Sequence, residues 1–134
     1  MIRPATIDDI SAVLDLWRRA GAEPTHTDDV GSIRRLIDHD PDALIVAEVD
    51  GAVAGSVIAA WDGWRGSIYR IAVALEHQRR GLGRQLLAAA ESRLVSAGAV
   101  RSQAIVVETD ARATAFWRAA GWEQQAERLR FVRG

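Results

Sequence analysis

Apolar residues change period several times along this chain, and each change marks an element. Ile10, Val13, Leu14 and Trp17 recur at helical spacing behind Thr6, Asp8 and Asp9, which supply a cap and first-turn acids, and Gly21 closes the run. A loop over 22–27 leads to a second helix over about 29–38, with Val30, Ile33, Leu36 and Ile37 expected to face inward. The stretches 43–49 and 52–60 are continuous apolar runs joined by Asp50-Gly51, a strong hairpin signal. Ile68, Tyr69, Ile71 and Val73 then form a β-branched and aromatic strand over 67–73. From Leu82 the period returns to helical through Leu86, Leu87, Ala90, Leu94 and Ala97. A fifth strand is expected over 103–107, a helix over 111–120 stopped by Gly121, and a last strand over 127–132. Ile2-Arg3-Pro4 reads as an edge strand, because proline cannot donate to a central ladder. Strand–helix alternation at the centre with hairpins at both ends predicts an α/β (α+β) chain: one domain over 1–134 with a mixed sheet covered by helices.

Composition narrows the class without naming it. A chain of 134 residues buries about 68% of its unfolded surface, enough for one core. Net charge is −1, which argues against general nucleic-acid binding. The basic residues are local instead: Arg65, Arg70, Arg79, Arg80 and Arg84 fall in one stretch with only Glu76 opposing them. Cysteine is absent, so disulfide and thiolate chemistry are excluded. His26, His39 and His77 are isolated, and no His/Asp/Glu spacing suggests a metal. No apolar run reaches the length of a signal region or a membrane span, so cytoplasm is the expectation.

The chemistry concentrates between the central strand and the long helix. There Gln78-Arg79-Arg80-Gly81-Leu82-Gly83-Arg84 combines two glycines, three arginines and a helix start. Glycine lets successive N–H groups converge, and the first N–H groups of a helix are unpaired and carry about +0.5 charge. Such a turn holds an anion, and phosphate fits best. No lysine follows the glycines as a Walker loop requires, and Leu86 stands where a Rossmann turn needs its third glycine.

Gln78-x-x-Gly81-x-Gly83 after a strand ending in valine resembles the pyrophosphate loop of the GNAT superfamily of N-acetyltransferases. A second motif agrees, Asp110-x-x-Ala113-x-x-Phe116-Trp117-x-x-x-Gly121-Trp122, where family members commonly carry Asn, Tyr and Phe at the first, fourth and last of these positions. The resemblance runs from near residue 1. It implies a mixed central sheet of six to seven strands with about four helices, splayed between strands 4 and 5. It also implies acetyl-CoA as co-substrate, bound by Gln78, Arg79, Arg80, Gly81, Leu82, Gly83 and Arg84, by Ile71, Ala72 and Val73, and by Asp110, Ala113, Phe116 and Trp117. Backbone N–H groups of 71–73, where the strand bulges, would hold the thioester carbonyl. The usual tyrosine is credited with protonating the leaving thiolate. Trp117 cannot inherit that role, since an indole N–H does not usefully give up a proton.

Trp61-Asp62-Gly63-Trp64-Arg65-Gly66, ahead of the central strand, resembles a small bacterial subgroup of the superfamily with no settled substrate. Asp-Gly and Arg-Gly are turn chemistry, but Trp61, Asp62, Trp64 and Arg65 also make an amphipathic wall suited to an acceptor. Candidate bases are Glu108, expected at the end of the fifth strand, and Tyr69, the only tyrosine, with Asp62 as a rival. The function expected is direct acetyl transfer to a primary amine of a small molecule or peptide, by a monomer or homodimer with no nucleic-acid or membrane partner. The alternatives are a protein or aminoacyl-tRNA acetyltransferase, and a non-catalytic acyl-CoA binding module.

Overall fold

The computed structural model describes residues 1–22 and 24–134; Glu23, within the loop read over 22–27, lies outside the described residues. Two compact units are present, residues 1–104 and 105–134. The first holds a five-stranded sheet in the order β1 (Ile2–Pro4), β2 (Leu44–Val49), β3 (Ala52–Trp61), β4 (Gly66–Val73), β5 (Ser102–Ala104). All neighbours are antiparallel except β4 and β5, which run parallel. Asp50 and Gly51 turn β2 into β3 with φ of 51° and 78°, the paired left-handed conformation that a tight hairpin needs.

Helices α1 (Ile10–Arg19) and α2 (Val30–His39) belong to a core built with β2 and β3. Ile10, Val13, Leu16 and Trp17 of α1 and Ile33 and Ile37 of α2 are buried with Leu44, Val46 and Ile58. Leu16 takes the buried place expected for Leu14, which is half-buried, and Val30 is 55% exposed because it opens the helix. The long helix α3 (Leu82–Ala97) buries Leu86, Leu87, Ala90 and Leu94. Two glycines let it approach the sheet. A Cβ on Gly55 would come 2.8 Å from Leu86, and one on Gly66 would come 2.7 Å from Leu94 and 2.5 Å from the Ser102 hydroxyl.

Three expectations are corrected here. Among the described residues the sheet has five strands rather than six to seven. The fifth strand stops at Ala104 instead of reaching Val107, and Ile105 and Val107 are more than half exposed. Residues 127–132 form no strand, and Leu129, Phe131 and Val132 are exposed. Alternating apolar residues favour a strand only where a neighbour completes the ladder, and none of the described residues pairs with this segment. The second unit contains α4 (Ala111–Ala119), capped by the Asp110 carboxylate, which accepts from the Ala113 N–H at 3.0 Å.

Arg3 ties the start of the chain together. Its guanidinium donates to both carboxylate oxygens of Asp9, at 2.8 and 3.0 Å, and to Glu48 at 3.0 Å. The Arg3 hydrogen bonds hold the Asp9 carboxyl at about 2, below its ordinary 3.8. A depressed carboxylate contributes stability above its unfolded pKa and loses it as pH falls through the folded one. Asp9→Asn should therefore lower the urea midpoint at neutral pH, and the gap to wild type should close between 3.8 and about 2. A gap that stays constant over that range would contradict the pairing.

Candidate active site

Strand β4 organises the site. Its first three residues pair with β5, Gly66 with Ser102 through Ile68 with Ala104, and from Tyr69 to Val73 its partner among the described residues is β3 alone. The strand therefore leaves the β5 side open over its second half, as the expected splay requires. Within that half the register against β3 slips: Tyr69 faces Ile58 and Ala72 faces Ser56, so Arg70 and Ile71 share the place opposite Val57. This is a β-bulge, and Arg70 occupies it with φ of 51°. Left-handed backbone costs a residue with a Cβ about 1–2 kcal/mol, so the surroundings must hold it there.

Beyond the bulge the ladder recovers. The Ala74 N–H donates to the Ala54 carbonyl at 2.8 Å. Antiparallel alternation then turns the N–H and C=O of Val73 away from β3. The Gln78 side chain donates from Nε2 to that Val73 carbonyl at 3.1 Å, folding the next loop back onto the strand end. Arg79 and Gly81 both have left-handed φ, 64° and 78°, and open space surrounds the Gly81 Cα. The ladder of α3 begins with the Gln85 N–H on the Gly81 carbonyl at 3.1 Å, which leaves the N–H groups of Leu82 and Gly83 outside it. The helix has no acid in its first turn, and Arg79, Arg80 and Arg84 are exposed around it. Backbone donors at a helix start, with three exposed arginines adjacent in sequence, are chemistry suited to a diphosphate.

In the other unit, Trp117 is buried in an aromatic cluster, edge-on to Phe116 at 5.6 Å and to Trp122 at 4.6 Å between ring centroids. The Asp110 carboxylate serves as the cap of α4, and Ala113 supplies the N–H that it accepts. Glu108 stands in an exposed turn closed by the Asp110 N–H on the Val107 carbonyl at 2.9 Å, four positions past the end of β5. The expectation that it ends the strand is corrected.

Tyr69 is 47% exposed on β4, directly before the bulge. The loop between β3 and β4 sits at the opposite end of β4 from residues 78–84, roughly 23 Å along the strand at 3.3 Å per residue. There Asp62 Oδ1 accepts from the N–H groups of Trp64 and Arg65 at 2.8 and 2.7 Å. Those bonds, the Arg65 one foremost, lower the Asp62 pKa and commit the carboxylate to its turn. The Trp61 ring lies beside Gly98 at the end of α3. Trp64 is 68% exposed with the Arg65 guanidinium stacked 4.1 Å from its ring centroid.

One cluster escaped the sequence reading. Ser56 is fully buried on β3; its hydroxyl accepts from Trp17 Nε1 at 2.8 Å and donates to the Arg70 carbonyl at 3.1 Å. The Arg70 guanidinium donates to Asp28 at 2.6 Å and to Thr25 at 3.3 Å and lies 5.4 Å from the Trp17 ring. The available signal was a lone serine inside the apolar run 52–60.

A family model described as acetyltransferase (GNAT) family matches residues 10–122. The chain belongs to the GNAT acetyltransferase family. Among similar proteins, an acetyltransferase of Pectobacterium atrosepticum is 37% identical over 101 residues, covering 75% of this chain and 72% of its own length. An acetyltransferase of Photorhabdus laumondii is 37% identical over 107 residues, covering 80% and 75%. Solved GNAT structures share the fold. Ard1 from Thermoplasma volcanium superposes with a TM-score of 0.84 at 22% identity, over 94% of this chain and 84% of that one. The AAC(6')-Iy structure with a CoA-containing bisubstrate analogue gives 0.78 at 19% identity, over 100% and 97%. In this GNAT acetyltransferase the first unit holds the expected half-paired strand, with a bulge at Arg70–Ile71, at the start of the 71–73 stretch where it was expected. No helix among the described residues is long and apolar enough to cross a membrane.

Proposed function

We propose that this acetyltransferase uses acetyl-CoA and transfers the acetyl group directly to a primary amine of a small molecule or peptide. The observation that carries the reading is the half-paired β4 followed by the left-handed turn at Arg79–Gly81. Acetyl-CoA supplies an activated thioester; the chain's own groups bind it, polarise its carbonyl and take protons from the amine. In this reading the backbone N–H groups of residues 81–84, with Gln78 shaping the loop, hold the diphosphate, and Arg79, Arg80 and Arg84 add charge. The open edge of β4 from Ile71 to Val73 bonds the pantetheine arm, past the small Ala72 side chain. An N–H of the bulge takes the developing oxyanion, the kind of contact whose loss costs about 10²–10³ in rate. Asp110, Ala113, Phe116 and Trp117 shape the thioester channel. Trp64 and Arg65 remain the parts of the β3–β4 loop that can meet an acceptor, since Asp62 is committed to its turn.

The amine must arrive neutral. With an ordinary pKa of about 10.4, its deprotonation at pH 7 costs about 4.6 kcal/mol, which a positioned base offsets. We assign that role to Glu108, directly or through one water, with Tyr69 the next candidate. Glu108 passes the ammonium proton on to solvent; the neutral nitrogen then bonds the carbonyl carbon, the C–S bond breaks to release the CoA thiolate, and the second proton that the nitrogen loses goes to Glu108.

A panel of amines with acetyl-CoA, read by free-thiol release, tests the reading; turnover with none, despite tight coenzyme binding, would favour a binding module. Gly83→Asp should abolish acetyl-CoA binding by calorimetry, while Arg79→Ala or Arg80→Ala should cost only about 1.5–3 kcal/mol. Unaltered affinity in Gly83→Asp would remove the loop assignment. Glu108→Gln should lower the rate by roughly 10²–10⁴ at neutral pH, recovering partly as rising pH deprotonates the amine. A wild-type kcat/KM in that variant on both sides of neutrality would pass the role to Tyr69.

A further inference from the structure

The bulge in β4 is held from inside the core, and what holds it fixes the direction of one N–H group. The carbonyl of Arg70 and the N–H of Ile71 belong to the same peptide plane. Peptide bonds are planar, and none in the described chain is cis, so these two groups point in opposite directions. The Arg70 carbonyl is aimed at the Ser56 hydroxyl, 3.1 Å away on β3. The Ile71 N–H is thereby aimed away from Ser56. A buried hydroxyl with one acceptor and one donor contact has little freedom to rotate, and Trp17 Nε1, 2.8 Å away, supplies the donor that sets its direction.

The side chain of Arg70 holds the same peptide from the other end. A glycine would adopt this φ without cost, and this position carries arginine instead. Its guanidinium reaches Asp28 and Thr25 in the connection between α1 and α2, and the charge lies over the Trp17 ring. Trp17 therefore contacts the bulge twice, through its N–H by way of Ser56 and through its ring face. Ser56 is the one fully buried polar residue described, and its two contacts both serve this bulge.

We propose that Ser56 is a positioning residue for acetyl transfer: its hydroxyl, oriented by Trp17 and backed by the Arg70–Asp28 pair, aims the Ile71 N–H at the thioester carbonyl oxygen. The inference rests on the acetyl-transfer reading and adds to it which N–H polarises the carbonyl and what holds it. Removing the hydroxyl leaves the coenzyme loop untouched and frees the Arg70–Ile71 peptide to rotate. The loss should fall on the chemical step and spare binding.

The test combines kinetics with amide NMR. Ser56→Ala should lower kcat roughly 10- to 100-fold, short of the effect of deleting an oxyanion donor outright, with the KM for acetyl-CoA within about twofold of wild type. Trp17→Phe keeps the ring and the Ser56 hydroxyl but loses the orienting N–H, so it should show a smaller loss of kcat, again at constant KM. In the wild type, replacing CoA with acetyl-CoA should shift the Ile71 amide, and Ser56→Ala should abolish that shift. The Gly83 amide should respond equally to CoA and acetyl-CoA in both proteins. Wild-type kcat in a folded Ser56→Ala, or a shift at Ile71 that survives the substitution, overturns the proposal. If Ser56→Ala fails to fold, an unchanged kcat in Trp17→Phe overturns it alone. A wild type whose Gly83 responds while Ile71 does not also overturns it and leaves the coenzyme assignment standing; silence at both positions overturns the acetyl-transfer reading itself.

Discussion

Strand β4 has two neighbours over its first three residues and one over the rest. Backbone N–H and C=O groups are obligatory hydrogen-bonding partners, so a central strand stripped of one neighbour must find others. Here the structure supplies some and withholds the remainder. The Val73 carbonyl receives the Gln78 side chain, and the Arg70 carbonyl receives the Ser56 hydroxyl. The rest of that edge has no paired strand among the described residues. The same geometry places the start of α3 just past the strand end, because Gly55 and Gly66 let that helix lie close to the sheet. The half-paired strand and the left-handed turn before α3 are thus neighbours in the chain, and the proposed coenzyme site rests on both.

Replacing the usual acidic tyrosine by Trp117 is tolerable on the energetics of the leaving group. A thiol has a reference pKa of about 8.5, so a thiolate leaving at pH 7 forgoes only about 2 kcal/mol by departing unprotonated. The amine is the harder partner, with more than twice that cost. On the proposed reading, a site with Glu108 as base and no acid at Trp117 would retain the larger effect. Trp117 instead packs edge-on against Phe116 and Trp122.

Much of the fold was legible because apolar period, hairpin chemistry and glycine stops act locally. The α1, α3 and α4 starts, the Asp50-Gly51 turn and the edge role of Ile2–Pro4 all rest on residues within a few positions of one another. The misses are non-local. Whether 105–107 and 127–132 become strands depends on a neighbour that no local pattern encodes. The turn over 78–84 was readable because its glycines and arginines are contiguous, and the half-paired strand followed from the resemblance. The bulge network was not: Trp17, Asp28, Ser56 and Arg70 come from three elements and a loop, and each alone reads as ordinary core or surface.

Amide hydrogen exchange on addition of acetyl-CoA tests most directly whether the open edge of β4 and the turn before α3 form one coenzyme site. The account predicts slowed exchange at Ile71, Val73, Leu82 and Gly83, with the β1 and β2 amides unchanged. Binding that protects residues 82 and 83 and leaves 71 and 73 exchanging at their free rates would contradict it, as would protection confined to the loop between β3 and β4.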